Sequence, residues 1–320
     1  MNLKNKSVLV TGGAGFIGSH LVDALTKENP EKIVVVSNFF LGKEENLNEA
    51  KKSFKNLKIY NQSVADFDST KEIFEKENID VVFNLAVIPL PASLEDPLGS
   101  TIENIRITTN VCELLRKGLF KKLIHFSFSE AYGSARYVPM DEKHPLNPET
   151  PYAASKAGTD LIVDSYYRTF NVDTVVLRPF NNYGPRQNAG KFAGIIPLTI
   201  KRILNNEDII INGDGEQTRD FVFVKDTANA AVEFAKNNNV IGKTINIATG
   251  REITINYLID LIKKEFNYKG KIIHGQERPG DVRRHFADIS LAKKLINYEP
   301  KVKFEEGIKI TCDWYKKNLR

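Results

Sequence analysis

Short apolar runs alternate with longer helical stretches from the N-terminus to Arg178. Ser7–Val10, Lys32–Val36, Leu57–Tyr60, Val81–Leu85, Leu123–Phe128 and Thr174–Arg178 read as strands. Ile17–Lys27, Thr70–Glu77, Gly99–Lys117 and Ala153–Phe170 read as the helices between them. Strands separated by helices predict parallel βαβ units, and so an α/β fold whose doubly wound parallel sheet is covered on both faces.

Beyond Arg178 the pattern changes. Loop residues dominate from Asn181 to Gly194, and Ile209–Ile211 reads as a short strand ended by Asn-Gly-Asp-Gly. Asp220–Val224 and Thr227–Lys236 read as a further strand and helix, and Thr244–Ala248 as a strand. Ile255–Phe266 has amphipathic spacing, with Thr254 placed to cap it, and Phe304–Asn318 closes the chain. The expected division is a larger domain from 1–180 plus about 213–240, and a smaller α/β lobe from about 181–212 plus 241–320.

Composition narrows the function classes. A chain of 320 residues can bury one large core or two intimate lobes. Its 42% apolar and 27% charged residues are ordinary for a globular protein. The net charge of +5 is spread over short pairs such as Lys51-Lys52 and Lys121-Lys122. A nucleic-acid reader would carry a denser basic stripe, so no nucleic-acid partner is expected. Cys112 and Cys312 are isolated and read as reduced. His20, His125, His144, His274 and His285 never pair at ligand spacing, so no metal site is expected. Met1–Lys6 leads into the first strand without a signal-peptide pattern, and no apolar run reaches the ~18 residues that span a bilayer. The expectation is a cytoplasmic protein without a membrane partner.

The first chemical signal is TGGAGFIG at 11–18, between an apolar strand and a helical run. Gly12 suits a tight turn, Gly15 lets backbone approach a pyrophosphate, and Gly18 allows close helix–strand packing. The helix start near Phe16 would aim N–H groups at phosphates, as in a Rossmann-like dinucleotide domain. A glycine turn can be purely structural, but this context favours a cofactor. The carboxylate expected about twenty residues further on is absent, because the second strand ends in Ser37-Asn38. NADP is therefore not excluded by charge. No Arg replaces the carboxylate, the nearest cation is Lys43, and NAD is the preferred cofactor.

The second signal is Tyr152 and Lys156 in PYAASKAG, one helical turn apart. A phenol titrates near ~10 and is a poor base at neutral pH. An ammonium and an oxidised nicotinamide beside it favour the phenolate, which can take a hydroxyl proton while hydride leaves the same carbon. A Tyr-x-x-x-Lys alone is more often a packed ring and a solvated lysine. Behind a dinucleotide cradle the redox reading prevails.

Seven motifs in order resemble the extended short-chain dehydrogenase/reductases, specifically the nucleotide-sugar epimerases and dehydratases. They are TGGAGFIGSH (11–20), NLAVIPLPASLEDP (84–97), SEAYG (129–133), PYAASKAG (151–158), RPFNNYGPRQ (178–187), GDGEQTRDF (213–221) and ERPGDVRRHFAD (277–288). The resemblance runs almost end to end. It implies transient oxidation at C4 of a nucleoside-diphosphate hexose, an NAD(P)-binding larger domain and a nucleotide-sugar-binding smaller lobe. It implies Tyr152 as base with Lys156 as its partner, and Gly12, Gly15, Phe16, Ile17 and Gly18 at the pyrophosphate. Ser37, Asn38, Ser63, Val64, Leu85, Ala86 and Val87 would line the rest of the cofactor. Asn181, Arg219, Arg278 and Asp281 match positions that hold the nucleoside diphosphate, where guanidinium forks suit paired phosphate oxygens. It also implies a homodimer through the helices near Gly99–Lys117 and Ala153–Phe170.

Three residues depart from the pattern. Ser37 replaces the ribose-binding Asp, and Ser63-Val64 stands where relatives often carry Asp and an apolar residue. Phe128 occupies the Ser/Thr position, five residues before Gly133, whose hydroxyl would hold the sugar O4. Ser127 and Ser129 flank it. Strand alternation directs neighbours elsewhere, but Ser129 lies near the strand's end and is the candidate substitute. Glu130 bears on the reaction, since loss of water across C5–C6 needs a further base and dehydratases carry a carboxylate there. The reading slightly favours 4,6-dehydration over 4-epimerisation, with decarboxylation of a UDP-glucuronate third. A non-catalytic nucleotide-sugar binder is the alternative of another class, motivated by Phe128.

Overall fold

The computed structural model, described here for residues 2–277 and 282–319, contains a central sheet of seven parallel strands. These are β1 (Ser7–Thr11), β2 (Lys32–Ser37), β3 (Leu57–Asn61), β4 (Val81–Asn84), β5 (Lys122–Phe126), β6 (Asp173–Pro179) and β7 (Thr244–Ile247). Their spatial order is β3-β2-β1-β4-β5-β6-β7. The chain runs outward from β1 to β3, then crosses back to lay β4 against β1. At that reversal the loops after β1 and β4 diverge and leave a crevice at the strands' carboxyl ends.

The apolar runs are continuous because both faces of the sheet are covered. In β1, Val8 and Val10 join the core on one face while Leu9 joins the core on the other. The first face packs against α1 (Phe16–Thr26) and the helix Val224–Lys236, through Leu21, Val22, Ala231 and Phe234. The second face packs against α2 (Phe67–Glu77), α3 (Pro97–Arg116) and α4 (Pro151–Phe170), through Phe74, Ile107, Val111 and Val163. Asp96 and Thr150 cap α3 and α4 through the N–H groups of Gly99 and Ala153.

Three local expectations differ from the structure. The strand expected to reach Phe128 ends at Phe126, with Ser127 N donating one last ladder bond to Leu177 O at 2.8 Å. Phe128 then opens a 3₁₀ turn, Ser129–Tyr132, so strand alternation does not govern where these serines point. The expected loop from Asn181 to Gly194 begins with a short strand, Asn181–Tyr183, paired in parallel with Phe221–Phe223, and the helix Ile195–Leu204 follows it. Thr244–Ile247, a range expected with the smaller lobe, is the edge strand beside β6 in the large sheet.

The smaller lobe has its own core of Tyr183, Ile200, Ile209, Phe221, Leu258, Phe304 and Ile308. Thr254 caps the helix Ile255–Phe266 as expected, accepting from Tyr257 N. Cys112 and Cys312 are buried free thiols. Among the described residues no helix is long and apolar enough to cross a membrane.

Gly18 fixes the approach of α1 to the turn after β1, since a Cβ there would lie 2.3 Å from Gly12 O and 2.8 Å from Gly13 Cα. Both neighbours are backbone and cannot swing away. Gly18→Ala should lower the unfolding free energy by about 1–3 kcal/mol in denaturant titration. An unchanged midpoint and slope would contradict this packing.

Candidate active site

A cavity of about 380 Å³ lies in the crevice at the strand-order reversal. This is ample for part of a small-molecule ligand. One wall is the turn after β1. Gly12 has φ +64°, and a Cβ on it would press to 3.0 Å on Ala86 N. Gly15 caps α1 with its backbone alone, and no acidic side chain stands in the first turn of α1. The first-turn residues Phe16, Ile17 and Gly18 line the cavity, so the positive end of the helix faces it. These features fit the pyrophosphate of a dinucleotide.

The loop after β4 forms the facing wall, through Leu85, Ala86 and Val87. Thr11 ties it to β1. Its hydroxyl accepts from Leu85 N and Ala86 N, both at 3.0 Å, and donates to Asn84 Oδ1 at 2.7 Å. Asn104 holds the same loop further on, accepting from Ile88 N at 2.7 Å and donating to Ser155 Oγ on α4 at 3.1 Å. Motif reading missed Thr11 and Asn104. Thr11 has a signal in hindsight, as the last hydroxyl before the glycine turn.

Ser37, Asn38, Ser63 and Val64 line the far end of the cavity. Ser37 Oγ accepts from Phe39 N, and Asn38 Oδ1 from Phe40 N, so both shape the turn after β2. Ser63 Oγ donates to Glu103 at 3.2 Å. Arg186 also reaches this cavity, but its guanidinium is paired with Asp23 at 2.7 Å. His20, one turn before Asp23, holds Pro185 O at 2.9 Å and is drawn down to about 3, chiefly by burial.

Tyr152 and Lys156 come from the first two turns of α4 and line the cavity opposite the glycine turn. Lys156 Nζ donates to Phe126 O at 2.5 Å. Burial, opposed by Asp160 and assisted by Arg178, draws the ammonium down to about 8. Burial pushes the Tyr152 phenol well above its ordinary range, with the carboxylates of Glu130 and Asp160 adding to the rise. Phe128 lines the cavity with its ring 6.2 Å from that of Tyr152, tilted by 60°.

Behind this wall lies a buried polar network. Asp160 accepts from Ser127 Oγ at 2.5 Å and from Arg178 Nη2 at 2.7 Å. Arg178 also stands over the Tyr132 ring, 4.3 Å from its centre. Ser127 therefore commits its hydroxyl to Asp160. Ser129 is fully buried and off the cavity wall, with its carbonyl accepting from His285 Nε2 at 3.2 Å. Phe128 is the residue of this trio that projects apolar surface at Tyr152.

The structure thus brings Gly12, Gly15, Phe16, Ile17, Gly18, Ser37, Asn38, Ser63, Val64, Leu85, Ala86, Val87, Tyr152, Lys156 and Asn181 to one cavity. Glu130 is off the wall, although its charge reaches Tyr152. Arg219 is also off the wall, donating to Thr218 O at 2.7 Å and Val282 O at 2.6 Å. Arg278 and Asp281 lie outside the described residues. Asn182, Gln187 and Asn188 join the cavity unforeseen. Among the described residues no cluster of three or more His, Cys, Asp or Glu side chains could hold a metal ion.

Comparison with known proteins gives a consistent set of likenesses. A family model described as GDP-mannose 4,6 dehydratase matches residues 9–311. A UDP-glucuronate 4-epimerase of Thermodesulfobacterium geofontis is 36% identical over 319 residues, covering 97% of this chain and 96% of the relative. The crystal structure of a UDP-glucose 4-epimerase with UDP-glucose from Thermotoga maritima superposes with a TM-score of 0.92 at 36% identity, covering 98% of this chain and all of that one. A dTDP-glucose 4,6-dehydratase from Streptomyces venezuelae with NAD bound gives 0.91 at 28% identity, with 98% and 97% coverage.

Thr11→Val tests how the cavity's two loops are held. It strips the Ala86 N–H and the Asn84 carboxamide oxygen of the partner that each has here. The unfolding free energy should fall by about 2–4 kcal/mol. A loss below ~0.5 kcal/mol would show that the hydroxyl is not what ties β1 to the loop after β4.

Proposed function

The chain belongs to the nucleotide-sugar epimerase and 4,6-dehydratase family of the extended short-chain dehydrogenase/reductases, and from that premise we propose an NAD-dependent enzyme that transiently oxidises C4 of a nucleoside-diphosphate hexose. The observation that carries this reading is one cavity lined by both the glycine turn and the Tyr152–Lys156 pair. NAD bound here would supply a reversible hydride acceptor for the sugar's C4. Gly12, Gly15 and the first turn of α1 would hold its pyrophosphate, and Leu85, Ala86 and Val87 would flank it. NAD is preferred to NADP because Arg186 is already paired with Asp23 and, among the described residues, no other Arg lines the cavity.

Tyr152 takes the proton of the sugar's 4-hydroxyl as the C4–H bond breaks, and gives it back when the ketone is reduced. Its phenol starts above the ordinary value, so the positive charges around it must do more than for an exposed tyrosine. Bringing an ordinary phenol to neutrality takes about three pKa units, or ~4 kcal/mol, and Tyr152 needs more than that from the cations of its dry cleft. Lys156 supplies one of them, held in place by the Phe126 carbonyl.

The reading best supported is 4-epimerisation. It requires a base and a bound cofactor, and the cavity wall carries Tyr152 for the one and the glycine turn for the other. Dehydration is the second reading, supported by Glu130, a carboxylate close enough to raise Tyr152. It ranks lower because Glu130 is off the wall, where a base for C5 would have to stand. Asn181 is the wall residue for the nucleoside diphosphate, and Arg219, Arg278 and Asp281 keep that role on sequence grounds alone. A cytoplasmic homodimer remains part of the proposal. Leu98, Ile102 and Ile105 on α3 and Leu161 on α4 expose an apolar face that a second copy would cover.

Incubation with UDP-, dTDP-, GDP- and CDP-hexoses should yield an inverted hexose from at least one of them. A 4-keto-6-deoxy product would favour the second reading, and binding without turnover would leave only a sugar-nucleotide binder. Tyr152→Phe should lower kcat by about 10²–10⁴ while nucleotide binding persists, as expected for loss of a general base. Phe128→Ser should raise turnover by restoring a hydroxyl beside Tyr152. A fall would show that the Phe128 ring belongs to the working site.

A further inference from the structure

Tyr152, Lys156 and Asp160 fall at four-residue steps on α4, so their side chains share one face. The first two line the cavity, and the third lies just behind it at 4% exposure. We propose that Asp160 is a positioning residue for the Tyr152–Lys156 pair, a carboxylate locked by Ser127 and Arg178 whose charge acts on both partners. The proposal deepens the reading of Tyr152 as the base and rests on it.

The geometry leaves Asp160 little freedom. One oxygen accepts from both Ser127 Oγ and Arg178 Nη2. The other faces His125 Nε2 at 3.7 Å. The tautomer of His125 follows from the bonds behind it. Thr11 Oγ1 takes two backbone N–H groups, so its own proton goes to Asn84 Oδ1. The Asn84 amide N–H then meets His125 Nδ1 at 3.2 Å, which places the ring proton on Nε2, pointing at Asp160. His125 is held neutral, its pKa drawn well down by burial and by Lys156 and Arg178. A line of polar groups thus runs from the cofactor wall to Asp160.

The charges around the pair come from four elements. Lys156 faces Asp160 on its own helix, Arg178 on β6, and the neutral His125 and the Phe126 carbonyl on β5. Tyr152 faces Glu130 on the 3₁₀ turn and Asp160 on α4. Lys156 and Arg178 are two buried cations, and Asp160 leaves the set with one net positive charge. Without it, Lys156 would stand beside an unopposed guanidinium and lose its proton more readily. Tyr152 would at the same time lose an anion that resists its ionisation.

Asp160→Asn therefore has a signature that mere loosening of the fold does not. Both limbs of the pH profile of turnover should move to lower pH, each by about one unit. The same direction should appear without cofactor or substrate. Ultraviolet difference titration against Tyr152→Phe should show the Tyr152 phenolate forming at lower pH in Asp160→Asn than in the wild type. Arg178→Gln removes a cation, so its alkaline limb should move upward, and it decides the matter if Asp160→Asn does not fold. A folded Asp160→Asn with an unmoved phenolate titration overturns the proposal, as does an alkaline limb that stays put in Arg178→Gln. If the wild type turns over no nucleotide sugar, the functional reading fails while the phenolate titration still tests Asp160.

Discussion

The site depends on the Thr11 hydroxyl, which sits where the chain leaves the sheet in two directions. By accepting two N–H groups from the loop after β4 and donating to Asn84, it holds that loop against the glycine turn. The separation of these two loops is the width of the cofactor cavity. Gly12 needs the same closeness, since Ala86 backbone occupies the space a Cβ would take. Parallel strands alone would leave two mobile loops there. One buried hydroxyl turns them into two walls of fixed separation.

Electrostatics then shapes what the walls can do. The free N–H groups of α1 present partial positive charge at one end of the cavity, and Lys156 and Arg178 place full charges at the other. Burial works against ionising both members of the pair, lowering Lys156 to about 8 and raising the Tyr152 phenol. Burial therefore favours the protonated phenol, and the role proposed for Tyr152 needs further positive charge beside it. This requirement follows from where the residues lie, because a phenol exposed to water would not feel it so strongly. Phe128 adds to it by presenting a ring to Tyr152.

Much of this was legible in the residues. The alternation of apolar and helical runs identified six of the seven strands of the sheet in order, because strands buried on both faces must be continuously apolar. The glycine turn and the Tyr152–Lys156 pair were legible because each needs fixed residue types at fixed local spacing. What was not legible depends on pairing across distance. Thr244–Ile247 reads as a strand, but nothing local says that it pairs with β6. Asn181–Tyr183 looks like a loop because its strand character comes from Phe221–Phe223. Ser129 looked like the nearest free hydroxyl, yet the 3₁₀ turn takes it off the wall and Ser127 is drawn to Asp160. Asp160 itself reads as an ordinary helix-surface residue until β6 brings Arg178 against it.

The central claim is that a hydride removed from C4 by action of Tyr152 and Lys156 is returned to the same sugar. A nucleotide hexose carrying deuterium at C4 tests it directly, with the product examined by mass spectrometry and NMR. The label should remain in the hexose, at C4 after epimerisation or at C6 after dehydration, with none released to water. Product that has lost the label to solvent, or that forms without breaking the C4–D bond, would contradict the account.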